Sequence, residues 1–170
     1  VAIQVVSFGQ LYGGKICAAL DRQHPRDLFD IKYLLANEGL SREVMIGFLL
    51  SLVSNSRPIY EILNPNFLDQ RQVMNNQFLG MTSEIFTYDD FEQVRVQLVN
   101  LVNNALTLED RKFLLSIKNV NPDWKIHNFE KFPAMRWKLQ NLNYLKKLNL
   151  KKHNQQLSLL QTHLAVDLVE

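Results

Sequence analysis

Residues 15–30, KICAALDRQHPRDLFD, decide how this chain folds. Sixteen residues hold Lys15, Asp21, Arg22, His24, Arg26, Asp27 and Asp30 with apolar side chains between them. The pattern is that of two helices meeting at a corner. Lys15, Ala18, Ala19 and Arg22 recur at i, i+3, i+4 and i+7 and so share one face of the first helix. The small alanines let a neighbouring helix or a ligand come close to that face. His24-Pro25 ends the first helix, because the residue before a proline disfavours helical geometry. Pro25 in turn suits the first turn of the second helix. There Arg26 and Asp30 stand four apart, and Asp27 and Asp30 three apart. Spacing alone leaves two alternatives. Either Arg26 and Asp30 form a helical ion pair worth a few tenths of a kcal/mol, with Lys15 and Arg22 in solvent, or the charges build a site for an anionic substrate.

Outward from this stretch the sequence reads as mainly α. Val1–Phe8 is β-branched and apolar and is expected to be one strand. A single strand is not stable alone, so its partners are expected elsewhere. Helices are expected over Gln10–Arg22, Arg26–Glu38 with Gly39 as its stop, and from the cap Ser41 to Ser54. Ser56–Pro65 carries two prolines and reads as a connector; Asp69–Met81 reads as a short helix. Thr87 with Asp90 three residues on is a variant capping box. It opens a helix whose Phe91, Val94, Leu98, Leu101, Val102 and Ala105 fall at helical spacing. Thr107 caps the next helix, with Phe113, Leu114 and Ile117 inward. Residues 119–132 are irregular, Ala134–Leu150 is helical, and the amphipathic stretch Gln156–Val169 either docks or frays. The expected organisation is a strand remnant at 1–9, a helical bundle at 10–150 and a C-terminal helix or tail at 151–170.

Composition narrows the function classes. A chain of 170 residues with 46% hydrophobic and 21% charged residues suits one soluble domain, or slightly more. The longest apolar run, GFLLSLV at 47–53, is too short to span a bilayer. The start at Val1, without the basic region and cleavage site of a signal peptide, suggests a fragment of a longer protein. The lone Cys17 fits a reducing cytoplasm. Charge is unevenly spread. Residues 131–153 hold seven basic side chains (Lys131, Arg136, Lys138, Lys146, Lys147, Lys151, Lys152) and no acid, whereas residues 1–130 hold 12 basic and 15 acidic ones. The basic segment is either a solvated helix face or a surface for a polyanion.

Several local patterns have ordinary explanations. Gly9 to Lys15 matches the phosphate-loop spacing G-x-x-x-x-G-K, but Ile16 stands where a metal-binding Ser or Thr is required, and no strand–helix alternation follows. His24 reads as a turn residue. His127, His153 and His163 lack ligand spacing, so no metal site is expected. Cys17 reads as a packed thiol, and Trp124 and Trp137 as core residues. Arg57, Tyr60 and Glu61 read as a connector held by an ion pair rather than a cleft wall.

A lysine, small apolar residues, an arginine and then R-D-x-x-D, here Lys15, Ala18, Arg22, Arg26, Asp27 and Asp30, resemble the third motif of the AbiEii/AbiGii family of nucleotidyltransferase toxins. The resemblance continues through SNSRPIYEILNPNFLD (54–69), QFLGM (77–81), LTLEDRKFLLSI (106–117), PDW (122–124) and FPAMRWKLQNL (132–142), covering roughly residues 1–150. It implies the C-terminal part of a nucleotidyltransferase-like α+β protein, acting as the toxin of a toxin–antitoxin, or abortive-infection, pair. Such enzymes transfer a nucleotide from a nucleoside triphosphate to an acceptor, which in relatives is tRNA. By this resemblance Lys15 neutralises the triphosphate and Asp30 deprotonates or orients the acceptor hydroxyl. Arg22 or Arg26 clamps phosphate or holds a carboxylate, and Asp27 locks an arginine. The family's opening motif, a Gly-Ser turn followed by metal-binding aspartates, is absent. Mg2+ is therefore expected only in the intact parent, and this chain alone is expected to be inactive. Expected partners are a nucleoside triphosphate, a cognate antitoxin and tRNA through residues 131–153, with no membrane. The alternative is a non-catalytic helical module that binds an antitoxin or RNA through that basic segment.

Overall fold

The computed structural model describes residues 6–166. Among them it contains nine helices: α1 (Phe8–Arg22), α2 (Pro25–Asn37), α3 (Arg42–Ser54), α4 (Ile59–Leu63), α5 (Arg71–Gln77), α6 (Tyr88–Ala105), α7 (Leu108–Lys118), α8 (Pro133–Leu148) and α9 (Leu150–Leu164). No strand occurs among the described residues. Most of the strand expected over Val1–Phe8 falls on residues 1–5, which lie outside them. Where that expectation reaches described residues it is corrected. Ser7 accepts the Gln10 amide through its hydroxyl and caps α1, so Phe8 and Gly9 are helical.

Helix ends follow the cap chemistry. Ser41 accepts the amide of Val44. Thr87 with Asp90, and Thr107 with Asp110, form reciprocal capping boxes. Gly39, at φ 69°, donates to the Leu34 carbonyl and closes α2 where a side chain would be strained. Asn149 both ends α8 and, through its side-chain oxygen, caps α9.

The α1–α3 crossing is the closest in the protein's core. A Cβ on Gly13 would lie 2.1 Å from the Phe48 amide nitrogen, and one on Gly47 would lie 2.0 Å from the Gly9 carbonyl oxygen. Glycine is required on both helices because backbone meets backbone there. The phosphate-loop-like spacing at residues 9–15 is thus a packing seam. Around it Ile16, Leu20, Phe48, Leu49 and Leu52 are fully buried, and α9 seals the other end with Leu160 and Leu164.

Two polar knots fix the bundle. Asp110 is wholly buried; its carboxylate accepts two hydrogen bonds from Arg42 (2.6 and 2.7 Å), one from His127 Nε2 (2.7 Å) and one from the Thr107 amide (3.0 Å). Burial alone would raise its pKa, but these donors outweigh burial and hold the carboxyl well below the usual range. A depressed folded pKa means that the stabilisation is complete above the unfolded value of about 4 and fades as pH falls below it. Asp110→Asn is expected to cost about 2 kcal/mol at neutral pH. By urea denaturation the gap from wild type should stay constant between about pH 5 and 8 and shrink below about pH 4. The second knot is Arg95, buried on α6. It donates to Gln23 Oε1 (3.1 Å) and the Leu68 carbonyl (2.8 Å) and lies over the rings of Phe67 and Phe91.

Trp137 departs from its expected place in the core: it is 66% exposed, because Met135, Lys138 and Leu142 are the residues α8 turns inward. Trp124 is partly buried and packs against Phe113.

Candidate functional site

The α1–α2 corner is built from local rules. Gln23 closes α1 in the left-handed region at φ 51°. His24 then accepts the Arg26 amide through Nδ1 (3.2 Å) and caps α2, whose first residue is Pro25. The corner folds the second half of the charged stretch back beside the first. As a result Lys15 Nζ, in the middle of α1, donates to Asp30 Oδ2, in the middle of α2, at 2.5 Å. Arg26 does not pair with Asp30 in the i, i+4 manner that spacing allowed. Its guanidinium points to Met81 Sδ at 3.0 Å.

Lys15 and Asp30 face a cleft of about 270 Å3 lined also by Tyr12, Tyr33, Asn37 and Glu38. Both charged side chains are roughly half covered, at 42% and 43% exposure, so each can reach a ligand without unfolding anything. Lysine has three donor hydrogens. One serves Asp30, and the amine can bridge that carboxylate and an incoming phosphoryl oxygen. The two tyrosines were not singled out in the sequence. Each lies three residues from a charged partner, Tyr12 before Lys15 and Tyr33 after Asp30, so helical spacing held the signal. Phe8 and Phe29 buttress them, with ring centroids 4.5 and 4.9 Å away.

The remaining charges of the stretch brace the corner. Arg22 donates to Asp27 Oδ1 at 2.9 Å, across the turn. The other Asp27 oxygen is buried and accepts no hydrogen bond among the described residues. Asp21 accepts from Arg57 (2.9 Å) and Asn55 (3.1 Å), and Arg57 also reaches the Asp21 carbonyl (2.8 Å) and Glu61 (3.4 Å). That network is the ion-paired connector expected from the sequence. Cys17 is buried beneath it, and burial pushes its thiol up to about 11. It is no nucleophile at neutral pH.

Among the described residues no three His, Cys, Asp or Glu side chains gather as a metal site. Two carboxylates line the cleft among the described residues, Asp30 and Glu38, and Asp30 is already paired with Lys15. This donor set does not fit a magnesium centre. No helix among the described residues is long and apolar enough to cross a membrane.

In the basic segment Lys131, Arg136, Lys147, Lys151 and Lys152 are exposed. Lys138 instead is buried and donates to the carbonyls of Asn55 (2.6 Å) and Arg57 (3.0 Å), tying α8 to the connector.

A family model described as nucleotidyl transferase AbiEii toxin, type IV toxin–antitoxin system, matches residues 1–141. Neither a curated protein nor a solved structure matches the chain.

Proposed function

The chain belongs to the AbiEii nucleotidyltransferase toxin family, and from that premise we propose that the α1–α2 corner is the phosphate-facing half of its transferase site. The Lys15–Asp30 contact carries this reading. It joins the first and last residues of the motif across two helices, in a cleft open to ligand. Lys15 neutralises a nonbridging phosphoryl oxygen of the bound nucleoside triphosphate, where negative charge grows in the transition state. Asp30 accepts the proton of the acceptor hydroxyl. The hydroxyl oxygen forms a bond to the α-phosphorus, the bond from that phosphorus to the bridging oxygen breaks, and pyrophosphate leaves.

Arg22 and Asp27 position the corner through their hydrogen bond across the turn. Arg26, whose guanidinium meets only the Met81 thioether among the described residues, is the motif's guanidinium more available to phosphate. The magnesium that the family's chemistry calls for does not fit the residues at the cleft, so its ligands belong to another part of the intact toxin. The chain by itself is accordingly inactive in transfer. An RNA such as tRNA is the acceptor, and a cognate antitoxin is the partner.

The test is triphosphate binding to this chain by isothermal titration. Lys15→Ala is expected to weaken it about tenfold, the loss of one charge-assisted contact, and Lys112→Ala to leave it unchanged. Equal affinities for both variants and wild type would overturn the role of Lys15.

A further inference from the structure

A second cleft, of about 470 Å3, is walled by the connector that follows α3 and by residues of α7, α8 and α9. Its walls carry three ammonium groups, Lys118, Lys138 and Lys152, the side-chain amides of Asn141 and Gln156, and the indole of Trp137. None of these residues belongs to the Lys15–Asp30 cleft.

The charge balance is unusual. Lys118 and Lys138 are only 3% and 8% exposed, yet among the described residues no carboxylate pairs with either of them or with Lys152. Two buried ammonium groups with no carboxylate beside them are costly: burial lowers the pKa of each, and the charge of Lys138 lowers that of Lys118 further. Hydrogen bonding satisfies them only in part. Lys118 Nζ gives one hydrogen bond, to Gln156 Oε1 at 2.7 Å, and Lys138 Nζ gives two to backbone carbonyls. With three donor hydrogens per lysine, both retain hydrogens for a further acceptor. Burial pushes each amine down to about 8, so both still carry charge at neutral pH. An anion is the chemical partner that would balance these charges. The cleft also has an aromatic wall. Trp137 is the only tryptophan among the described residues to stand mainly in solvent, and it does so at the rim of this cleft. Amines for phosphate, a flat ring for a base and amides for its polar edge are the parts of a nucleotide site. The volume is in the range of small-ligand pockets.

We propose that this cleft binds one nucleotide unit, its phosphate among Lys118, Lys138 and Lys152 and its base stacked on Trp137. The same chemistry is offered by a free nucleotide and by the terminal nucleotide of a single RNA strand. The site stands independently of the role given to Lys15 and Asp30.

Trp137 provides its own readout. In a Trp124→Phe background, adenosine 5′-monophosphate and a five-residue single-stranded oligoribonucleotide are titrated into the full chain while indole emission is followed. Saturable quenching is expected for at least one of them. Lys152→Ala, at an exposed position that leaves folding intact, should weaken it at least tenfold, and Lys15→Ala should leave it unchanged. Tighter binding of the oligonucleotide by more than tenfold assigns the site to an RNA end; comparable or weaker binding assigns it to a free nucleotide. Absence of quenching by both ligands would overturn the proposal, as would quenching that is lost with Lys15→Ala but kept with Lys152→Ala. Absence of quenching would leave the triphosphate test at Lys15 untouched, whereas Lys15-dependent quenching would move the nucleotide to the Lys15 cleft.

Discussion

In the intact toxin, Lys15→Ala and Asp30→Ala are each expected to reduce nucleotidyl transfer by about 100-fold or more and to abolish toxicity on induction. The magnitude follows from the roles proposed for them. Removing one preorganised charge aimed at a transition-state oxyanion costs about 100- to 1000-fold, and removing a general base costs about 100- to 10,000-fold. The structure makes this a clean experiment. Lys15 and Asp30 pair at the surface, each more than 40% exposed, and such pairs contribute about 0–1 kcal/mol to folding. The thermal midpoint should therefore move by less than about 4 °C, so lost activity cannot be lost folding. Asp30→Asn refines the result, since it preserves shape while removing both the charge that pairs with Lys15 and the ability to take a proton. Wild-type toxicity of Lys15→Ala and Asp30→Ala at matched expression would refute both role assignments.

The largest expected effect on stability belongs to a residue that carries no charge. Gly13→Ala should destabilise the bundle by about 3 kcal/mol or more, at the upper end of what overpacking costs. The added Cβ would sit 2.1 Å from the Phe48 amide nitrogen. No rotamer can relieve that contact, because both atoms belong to helix backbones or lie fixed upon one. The neighbouring Gly14→Ala is the internal control. Its Cβ would meet only Ser51 Oγ, at an ordinary 3.7 Å, so its better helix propensity should stabilise by about 0.5–1 kcal/mol. Chemical denaturation of the two variants side by side decides the matter. Equal stabilities would mean that the α1–α3 crossing is looser than its geometry.

What could be read from the sequence was what depends on neighbours in the chain. Ser41, Thr87 and Thr107 announce their helices because a cap bonds an amide two or three residues away. The corner at His24-Pro25 is local for the same reason, and the charged stretch was legible as two helices. The errors arose where no local rule applies. Helix α4 is five residues long and sits inside the expected connector, held by Ile59, Ile62 and Leu63 in the core rather than by its own propensity. Asn149 serves both α8 and α9, so no glycine or proline marks the break between them. Trp137 carries an aromatic side chain on a helix but faces outward, which its size alone could not reveal. In the candidate site, charge and spacing left Lys15 and Asp30 between a surface ion pair and an anion site, and only the resemblance singled them out. Their pairing with one another depends on how the corner closes.

The glycine seam also sets which parts of the protein can move. Because α1 and α3 touch backbone to backbone at Gly9, Gly13 and Gly47, neither can slide along the other without collision. Lys15 therefore rides on a fixed anvil. Asp30 rides on α2, attached to that anvil through the Gln23–His24 corner and the Arg22–Asp27 clasp. A change in the gap between the two side chains larger than a rotamer swing has to come from tilting α2 about that corner. The stroke of the cleft, if ligands alter it, is thus carried by one helix of thirteen residues.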